Sequence, residues 1–333
     1  MELEKPRIVC VGSNIESFEV IKFFKKNNVK VTGLVCLPKR LATNISDYFD
    51  MKDAVDDNTK IIFTEDINNK KTINSIKKLK PQYIFVLGWS QLFKKELLSI
   101  PTAFVVGSHP TPLPLRKGRA PLPWTILGDF TESAVTLFKM TPKIDDGDIL
   151  IQKYFKIPKN TDVSELYKLS SRKLAESFYE LYQNIISNKV RFKKPSKTSK
   201  ESFRGKRVPE DGFLDFNLAS KYLHKLIRAI TYPFPGSYFY HGDTPVRCFK
   251  SRIYDGPERL GVVGQIVGKT KEGIIVHTSS GAIELEELFI DDKSINNKSF
   301  KTGEVLNYRI HDEINSLKKY ISYLEKRISA LEG

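Results

Sequence analysis

The chain has 333 residues, of which 40% are hydrophobic and 28% charged, and its formal net charge is +15. This composition is typical of a soluble globular protein of about two domains. No apolar segment approaches the roughly 18 residues that span a bilayer, which argues against a membrane-spanning protein. The basic charge favours an anionic partner, such as a nucleic acid, a nucleotide or an anionic cofactor. A lysine-rich surface from an AT-biased genome explains the charge equally well, so charge alone does not identify a ligand.

The cysteines and the first apolar run bear on the cellular compartment. Cys10, Cys36 and Cys248 are scattered and lack metal-ligand spacing, which predicts buried thiols in a reducing cytosol and no metal site. The apolar run before Ser13 is short and predicts a first buried strand, not a signal peptide. We therefore expect a cytoplasmic protein.

Apolar runs alternate with amphipathic stretches over the first part of the chain. The candidate strands are RIVCVGS, VKVTGLVCL, TKIIFTED, YIFVLGWS and AFVVGSHP. This alternation predicts an α/β fold, a Rossmann-like and mostly parallel sheet with helices on its faces. Ligands of such sheets bind beyond the carboxyl ends of the strands. Residues 12–13, 88–90 and 107–109 fall at such ends, so we expect the site there.

The next segments complete this domain and then connect it to the rest of the chain. AVTLFKMTPKIDDGDILIQKYFKI predicts two strands joined by an acidic turn, and VSELYKLSSRKLAESFYELYQNII predicts a long helix. Residues 191–207 then carry eight Lys or Arg residues against one acid. We read 1–190 as the first domain and 191–207 as a basic linker, which is either solvated or a strap that faces phosphate.

The remainder predicts a smaller domain and a terminal helix. Residues 208–303 hold one helix and then short strands with glycine turns, which predicts a small OB-like β-barrel. Residues 304–333 carry Ile and Leu at alternating spacings of three and four, at Ile314, Leu317, Ile321, Leu324, Ile328 and Leu331. This heptad pattern favours a two-stranded parallel coil, and we expect a homodimer through residues 310–331. The alternative is a helix that docks on its own domain.

His109 is the main candidate for catalysis. A histidine at the end of a strand can move a proton near neutral pH, and it works best with a carboxylate that orients it. The acidic turn KIDDGDIL supplies Asp145, Asp146 and Asp148 downstream of His109. A lone histidine is more often structural, but one at a ligand edge with such a turn is a better candidate for a base.

Three ordered motifs carry a resemblance to a known family. HPTPLPLRKGRAP, from His109, is similar to the segment N-x-H-x-S-L-L-P-x-x-R-G-x-A-P of folate-dependent formyltransferases. VTLFKMTPKIDDGDIL resembles the segment of that family that ends in D-T-G-D. KRVPEDGFLDFNLASKYLHKLIRAITYPFPGSYFY looks like the segment that follows the catalytic domain in formyltransferases acting on nucleotide-linked amino sugars.

The resemblance implies a reaction and a set of residues. The donor would be N10-formyltetrahydrofolate and the acceptor a primary amine. His109 would take the proton of the attacking amine, and Asp145 would align and stabilise the imidazolium. The residues implied to bind the donor are Gln91, Leu92, Phe93, Arg119, Ile144 and Asp145.

One position departs from the family pattern. Gly107 stands where the family has an asparagine that stabilises the tetrahedral oxyanion. Losing one such donor typically costs about 10²–10³-fold in rate. Ser108 is a poor substitute because adjacent strand residues point to opposite faces, so Ser90 or a backbone N–H at Gly107 is the candidate replacement. A slow enzyme or the transfer of another acyl group is the alternative.

The third motif bears on the acceptor. The resemblance implies a nucleotide-linked amino sugar for surface polysaccharide, such as lipopolysaccharide O-antigen, with contacts from Arg207, Pro209, Glu210, Asp211 and Tyr232. The alternatives are a methionyl-tRNA formyltransferase and a non-catalytic binding homologue. The segment that follows the second predicted strand, CLPKRLATNISDYFDMKDAVDD, has five aspartates and is unfavourable for nucleic acid, so no nucleic-acid partner is expected.

Overall fold

The computed structural model describes residues 5–44, 46–196, 202–307 and 310–332. The chain forms two compact units. The first extends to Val208 and includes Tyr232–Phe234, and the second comprises Pro209–Thr231 and the chain from Pro235 onward. Within the described ranges, no helix has the length and apolarity to cross a membrane.

The first unit is built around a seven-stranded sheet with the order β3-β2-β1-β4-β5-β7-β8. The five strands from β3 to β5 are parallel, and β7 and β8 extend the sheet antiparallel to β5. The predicted Rossmann-like α/β fold is therefore confirmed. Its elements are β1 (Ile8–Val11), α1 (Ile15–Lys26), β2 (Gly33–Cys36), β3 (Lys60–Phe63), α2 (Lys70–Lys78), β4 (Tyr83–Val86), α3 (Lys95–Leu98), β5 (Phe104–His109), β6 (Lys117–Gly118), α4 (Pro121–Leu127), β7 (Glu132–Lys139), β8 (Ile149–Lys156), α5 (Val163–Ile186) and β9 (Phe203–Arg204).

Burial on both faces explains the apolar strands of this sheet. All four residues of β1 are buried, as are all four of β2, because helices cover each face. Asn14 and Asp162 begin α1 and α5 with capping boxes that satisfy backbone N–H groups at both helix starts. Phe178 of α5 packs on Phe85 of β4 with ring centroids 5.2 Å apart. The helices thus pack on the sheet that carries the loops at its edge.

The second unit carries the antiparallel sheet β10-β11-β14-β13-β12, with β15 paired to β14. This confirms the predicted β-rich second domain. Pro209–Gly212 forms a 3-10 helix at its start, and residues 266–269 form a strand of the sheet. The elements are α6 (Ser220–Ile230), β10 (Ser237–His241), β11 (Thr244–Ile253), β12 (Ile266–Lys269), β13 (Gly273–His277), β14 (Ala282–Ile290), β15 (Lys293–Ile295) and α7 (Ile310–Glu332).

The predicted linker and the C-terminal segment both contain regular secondary structure. Residues 202–208 belong to the first unit, where β9 pairs in parallel with β6. The remainder of the predicted linker from residue 197 to 201 lies outside the described residues. The heptad-patterned segment is helical from Ile310, and every residue from Glu313 to Leu331 is exposed.

Candidate active site

His109 ends strand β5, where it is 6% exposed. Its Nε2 atom lies 3.2 Å from the backbone carbonyl oxygen of Arg116. A carbonyl oxygen only accepts hydrogen bonds, so Nε2 donates its proton and Nδ1 keeps the free lone pair. Nδ1 lies 3.9 Å from the Oδ2 atom of Asp145. Nδ1, the nitrogen that can accept a proton, therefore faces the carboxylate of Asp145, which is the partner predicted from the sequence.

Asp145 lies in the turn between β7 and β8. Its Oδ2 atom accepts a hydrogen bond from the backbone N–H of Gly118 at 3.2 Å. Asp145 has a φ of +46°, a left-handed conformation that is uncommon for a residue with a side chain. Gly147 allows the turn to close, because a Cβ atom there would lie 1.8 Å from the carbonyl oxygen of Lys139. The strained turn thus holds the carboxylate beside the imidazole.

Burial sets the protonation state of His109. Desolvation lowers the pKa of His109 below its ordinary value, and the charge of Asp145 and the carbonyl of Arg116 oppose that shift. His109 is therefore neutral near pH 7 and has a lone pair for a proton. Once protonated, the imidazolium is stabilised by the neighbouring Asp145. A buried, neutral histidine with one carboxylate is suited to general-base catalysis.

Gly107 lies two residues before His109, and neighbouring side chains occupy the space where its own side chain would be. Gly107 pairs with Phe138 of β7. A Cβ atom on Gly107 would lie 2.7 Å from Cζ of Phe138 and 2.8 Å from Cγ of Met140. Both distances are shorter than real Cβ contacts. The glycine is thus a packing requirement here, and an asparagine has no room without movement of Phe138 and Met140.

The serine candidates near this position differ in their environment. Ser108 is occupied, because its hydroxyl donates to the backbone carbonyl of Val86 at 2.9 Å. Ser90 is exposed in the loop after β4. The assignment of Ser90 as the oxyanion donor stays a prediction.

A cationic strap includes the turn that follows His109 and a second segment paired with it. We define it as six basic residues on two paired segments: Arg116, Lys117 and Arg119 from the turn, and Arg204, Lys206 and Arg207 from residues 202–207. The backbone joins the segments, since Lys117 N–H donates to the Ser202 carbonyl at 2.8 Å and Arg119 N–H to the Arg204 carbonyl at 3.1 Å. Gly118 permits this approach, because its φ is +108° and a Cβ there would lie 2.3 Å from the carbonyl oxygen of Arg204.

The charges of the strap repel one another. Burial lowers the pKa of Arg116, and the nearby charge of Arg204 lowers it further. Lys117 is only 5% exposed, with its ammonium 5.7 Å from the Phe203 ring centroid. Neither the turn segment 115–124 nor residues 202–208 contains an acid. Outside these two segments, the charge of Glu132 raises the pKa of Arg116, and Asp145 accepts from Gly118 N–H, so the protein's own acids offset part of this charge. The strap is a candidate anion site.

Sequence reasoning missed Lys117. In the family motif the arginine directly precedes the glycine, and Lys117 occupies that position before Gly118. Lys117 is buried, whereas Arg119 is exposed. The alignment of the motif on Gly118 was the signal that would have found it. Arg119 as a donor contact stays a prediction.

The predicted acceptor contacts fall in both units. Arg207 stacks over the Trp124 ring at 5.2 Å, and Trp124 Nε1 donates to the Gly205 carbonyl at 2.9 Å. Tyr232 also belongs to the first unit and is 48% exposed. Pro209, Glu210 and Asp211 lie exposed in the 3-10 helix of the second unit. Their roles toward an acceptor stay predictions.

An open cavity of about 780 Å³ includes Gln91, Leu92 and Phe93, three of the residues expected to bind the donor. Its walls are Asp66, Asn68, Gln91–Glu96 and Pro142. Gln91 positions the wall, because its Oε1 accepts from Ile67 N–H at 2.9 Å and its Nε2 donates to the Glu65 carbonyl. Leu92 is 60% exposed and Phe93 is buried, and Ile144 in the acidic turn is also exposed. Apolar side chains beside amide and carboxylate groups suit a heterocyclic ligand.

A buried acidic cluster lies where β1 and β4 end. Tyr167 of α5 donates from its hydroxyl to Asp47 Oδ2 at 2.6 Å, and Asn14 Nδ2 lies 3.3 Å from the same oxygen. Glu16 is buried beside this pair, and burial with the charge of Asp47 raises the pKa of Glu16 to about 8. A Cβ on Gly88, in the left-handed region at φ +74°, would lie 2.9 Å from Glu16 Oε2. Two of the loops predicted to converge are thus in contact.

Metal chemistry has no ligand set in the described parts of the chain. Among those residues, no group of three or more His, Cys, Asp or Glu side chains is placed to hold an ion. Cys10, Cys36 and Cys248 are buried free thiols, and burial raises their pKa values, for Cys36 and Cys248 to about 12.

Two family models match the chain. "Formyl transferase" matches residues 8–181, and "Formyl transferase, C-terminal domain" matches residues 206–304. The chain belongs to the formyltransferase family. The first match contains the His109–Asp145 pair and the cavity, so this formyltransferase is an enzyme of formyl transfer with its candidate base and carboxylate in the matched domain.

Curated relatives of this formyltransferase carry different names. It is 30% identical to a methionyl-tRNA formyltransferase of Clostridium tetani over 72% of this chain and 77% of that protein. It is 33% identical to the bifunctional polymyxin resistance protein ArnA of Wigglesworthia glossinidia brevipalpis over 58% of this chain. The match spans only 29% of the length of ArnA.

A solved structure shares the fold of this formyltransferase. WlaRD, described as a sugar 3N-formyl transferase in the presence of dTDP and 5-N-formyl-THF, aligns with a TM-score of 0.58 and 21% identity. The alignment covers 87% of this chain and 99% of WlaRD. At this identity the likeness supports the two-domain fold and leaves the acceptor open.

Proposed function

We propose that the enzyme transfers a formyl group from N10-formyltetrahydrofolate to the primary amine of a nucleotide-linked amino sugar, for surface polysaccharide such as lipopolysaccharide O-antigen. The observation that carries this proposal is the cationic strap next to the His109–Asp145 pair. An acceptor of this class presents an amine to a base and an anionic diphosphate to cations.

The proton path follows from the atoms of the pair. The acceptor amine attacks the formyl carbon, and His109 Nδ1 takes the amine proton beside Asp145. The bond from the formyl carbon to N10 then breaks, and the imidazolium returns the proton to N10. The products are the formamide and tetrahydrofolate, so no oxidant, reductant or metal enters the balance.

The cationic strap supports a phosphorylated acceptor. Gly118 donates its N–H to Asp145 and lies between Lys117 and Arg119, so the turn that carries three of the strap cations also holds the carboxylate by a hydrogen bond. A diphosphate carries about two negative charges near pH 7, which would relieve the repulsion between Arg116 and Arg204. Trp124 and Arg207, stacked at the end of the strap, offer a flat surface for a base or sugar.

The open cavity supports the folate donor. The side-chain amide of Gln91 and the exposed Leu92 suit a pterin. Lys94 and Lys95 on the same wall suit the carboxylates of the folate tail. WlaRD, with the same fold, was crystallised in the presence of a formylated folate and dTDP.

Ser90 is the proposed oxyanion donor. The variant Ser90→Ala would test this role, because loss of the donor should lower the rate of formyl transfer.

A tRNA acceptor is the second candidate. The Clostridium tetani relative supports it, since that protein acts on methionyl-tRNA and matches over 77% of its length. The strap also suits a single terminal phosphate. Against it stand the five aspartates of residues 47–57, of which Asp56 and Asp57 are exposed. Repulsion there would oppose binding of a long phosphate backbone.

One assay separates these acceptors. Purified enzyme is mixed with N10-formyltetrahydrofolate and either a panel of nucleoside diphosphate amino sugars or charged initiator tRNA, and free tetrahydrofolate is measured with the mass of the acceptor. We expect release with an amino-sugar nucleotide and none with tRNA. Formylation of tRNA alone would refute the sugar assignment. Unchanged turnover in His109→Ala would refute the base, and binding of both ligands with no turnover in the wild type would favour the non-catalytic homologue.

A further inference from the structure

The terminal helix α7 presents an apolar seam to solvent. Its six heptad positions, 314, 317, 321, 324, 328 and 331, are between 37% and 83% exposed. Every described residue from Glu313 to Leu331 is exposed, so within that stretch no side chain is buried. In proteins, most helical stability comes from the packing of an amphipathic face rather than from helix propensity. The exposed seam therefore points to a partner.

We propose that α7 pairs with α7 of a second copy as a parallel, in-register, two-stranded coiled coil. The seam has isoleucine at one core position (Ile314, Ile321, Ile328) and leucine at the other (Leu317, Leu324, Leu331). Isoleucine at a with leucine at d favours the parallel dimer over trimers and tetramers. The occupant of the seam is therefore the same seam on a second chain.

The flanking charges are compatible with the parallel register. With Ile314 at a, Glu313 takes a g position and Lys318 the e position that a parallel partner places next to it. Each helix thus offers Glu313 to Lys318 of the partner subunit. Tyr320 at g meets Glu325 of the partner subunit in the same way. An antiparallel pair with Leu317 against Ile328 would place Lys318 near Glu325 of the partner subunit, so the isoleucine and leucine core positions, and not the charges, select the parallel pair.

The same charges argue against a membrane surface. An interfacial helix keeps lysine and arginine beside its apolar face and tolerates few acids there. Here Glu313 and Glu325 directly flank the seam, at the positions that a coiled coil uses for ion pairs. Residues 313–331 carry four Lys or Arg residues and two acids, a mixed surface that suits a soluble coil.

Sedimentation equilibrium on the full chain tests the self-association. We expect a mass of twice 38.1 kDa at tens of micromolar chain, with dissociation at lower concentration because the coil has under three heptads. Ile321→Lys with Leu324→Lys should give monomers with the same thermal unfolding of the two units. The matched control, Ser316→Lys with Ser322→Lys, adds the same charge outside the seam and should stay dimeric. A monomeric wild type, a higher oligomer, or a dimer that survives the seam variant would overturn the proposal.

Cysteine cross-linking tests the register. The native cysteines are buried with raised pKa values, so an introduced exposed thiol reacts selectively. Leu317→Cys should form a disulfide-linked dimer, because a parallel coil places each Leu317 against its copy. An antiparallel pair places it near Ile328 and gives no link. Ser322→Cys, on the outer face, is the control that should stay unlinked. Absence of the Leu317→Cys link in a dimer, or binding of monomers to anionic vesicles through α7, would contradict the proposal.

Discussion

Replacing Gly107 by asparagine restores the family residue but should not restore its function. The new Cβ would begin 2.7 Å from Phe138 Cζ and 2.8 Å from Met140 Cγ, whereas ordinary contact begins at 3.4 Å. The neighbours must therefore move by about 0.6–0.7 Å. Phe138 is 4% exposed and sits in the β7 ladder, so little free space is available to it. We expect Gly107→Asn to destabilise the first unit by about 1–3 kcal/mol, the usual range for overpacking.

Thermal unfolding and the rate of formyl transfer measure the two effects separately. For a unit of about 200 residues, each kcal/mol lowers Tm by about 2–4 °C. Gly107→Ala should lose nearly as much stability as Gly107→Asn, because the clash begins at Cβ. Phe138→Ala should make Gly107→Asn less costly than in the wild-type background, which a double-mutant cycle detects. A Gly107→Asn protein that unfolds within about 0.5 kcal/mol of wild type and reacts about 10²-fold faster would refute the packing explanation.

Three further changes test the charged groups. Asp145→Asn should lower kcat/KM by at least about 10²-fold and move its acidic limb to lower pH, because Asp145 raises the pKa of His109; an unmoved limb would contradict the pairing. Arg204→Ala should raise the KM for a nucleotide-linked acceptor and weaken its salt dependence, with little change in KM for the folate; equal effects on both would argue against the anion site. Glu16 has a folded-state pKa near 8, above its ordinary 4.5, so the native state binds the extra proton and stability falls as pH rises from about 5 to 8; Glu16→Gln should remove this slope, and an equal slope in both proteins would refute the assignment.

Periodicity predicted the large elements well. The helix over 163–186 and the hairpin of β7 and β8 follow from residues a few positions apart, whose patterns are read locally. The strap was harder to predict, because β6 and β9 are two residues each and pair across 86 positions. Such short strands carry no periodic signal, and their charges resemble a solvated linker.

The site shows the same division. His109 and Asp145 could be paired from a strand end and an acidic turn. The reason for Gly107 could not be found, because it depends on the side chains of Phe138 and Met140 across the neighbouring strand. Which side chains lie next to the Gly107 Cα depends on the pairing register of β5 and β7. That register is determined by the packing of the sheet as a whole, not by the local sequence.

The distribution of the site along the chain has a consequence for the newly made protein. On the ribosome, domains form from the N-terminal end as the chain emerges. The imidazole and its carboxylate can meet once the hairpin of β7 and β8 has emerged, near residue 156. Arg204 and its neighbours follow only after the 24-residue helix α5. A nascent chain therefore brings His109 and Asp145 together before the cationic strap is complete.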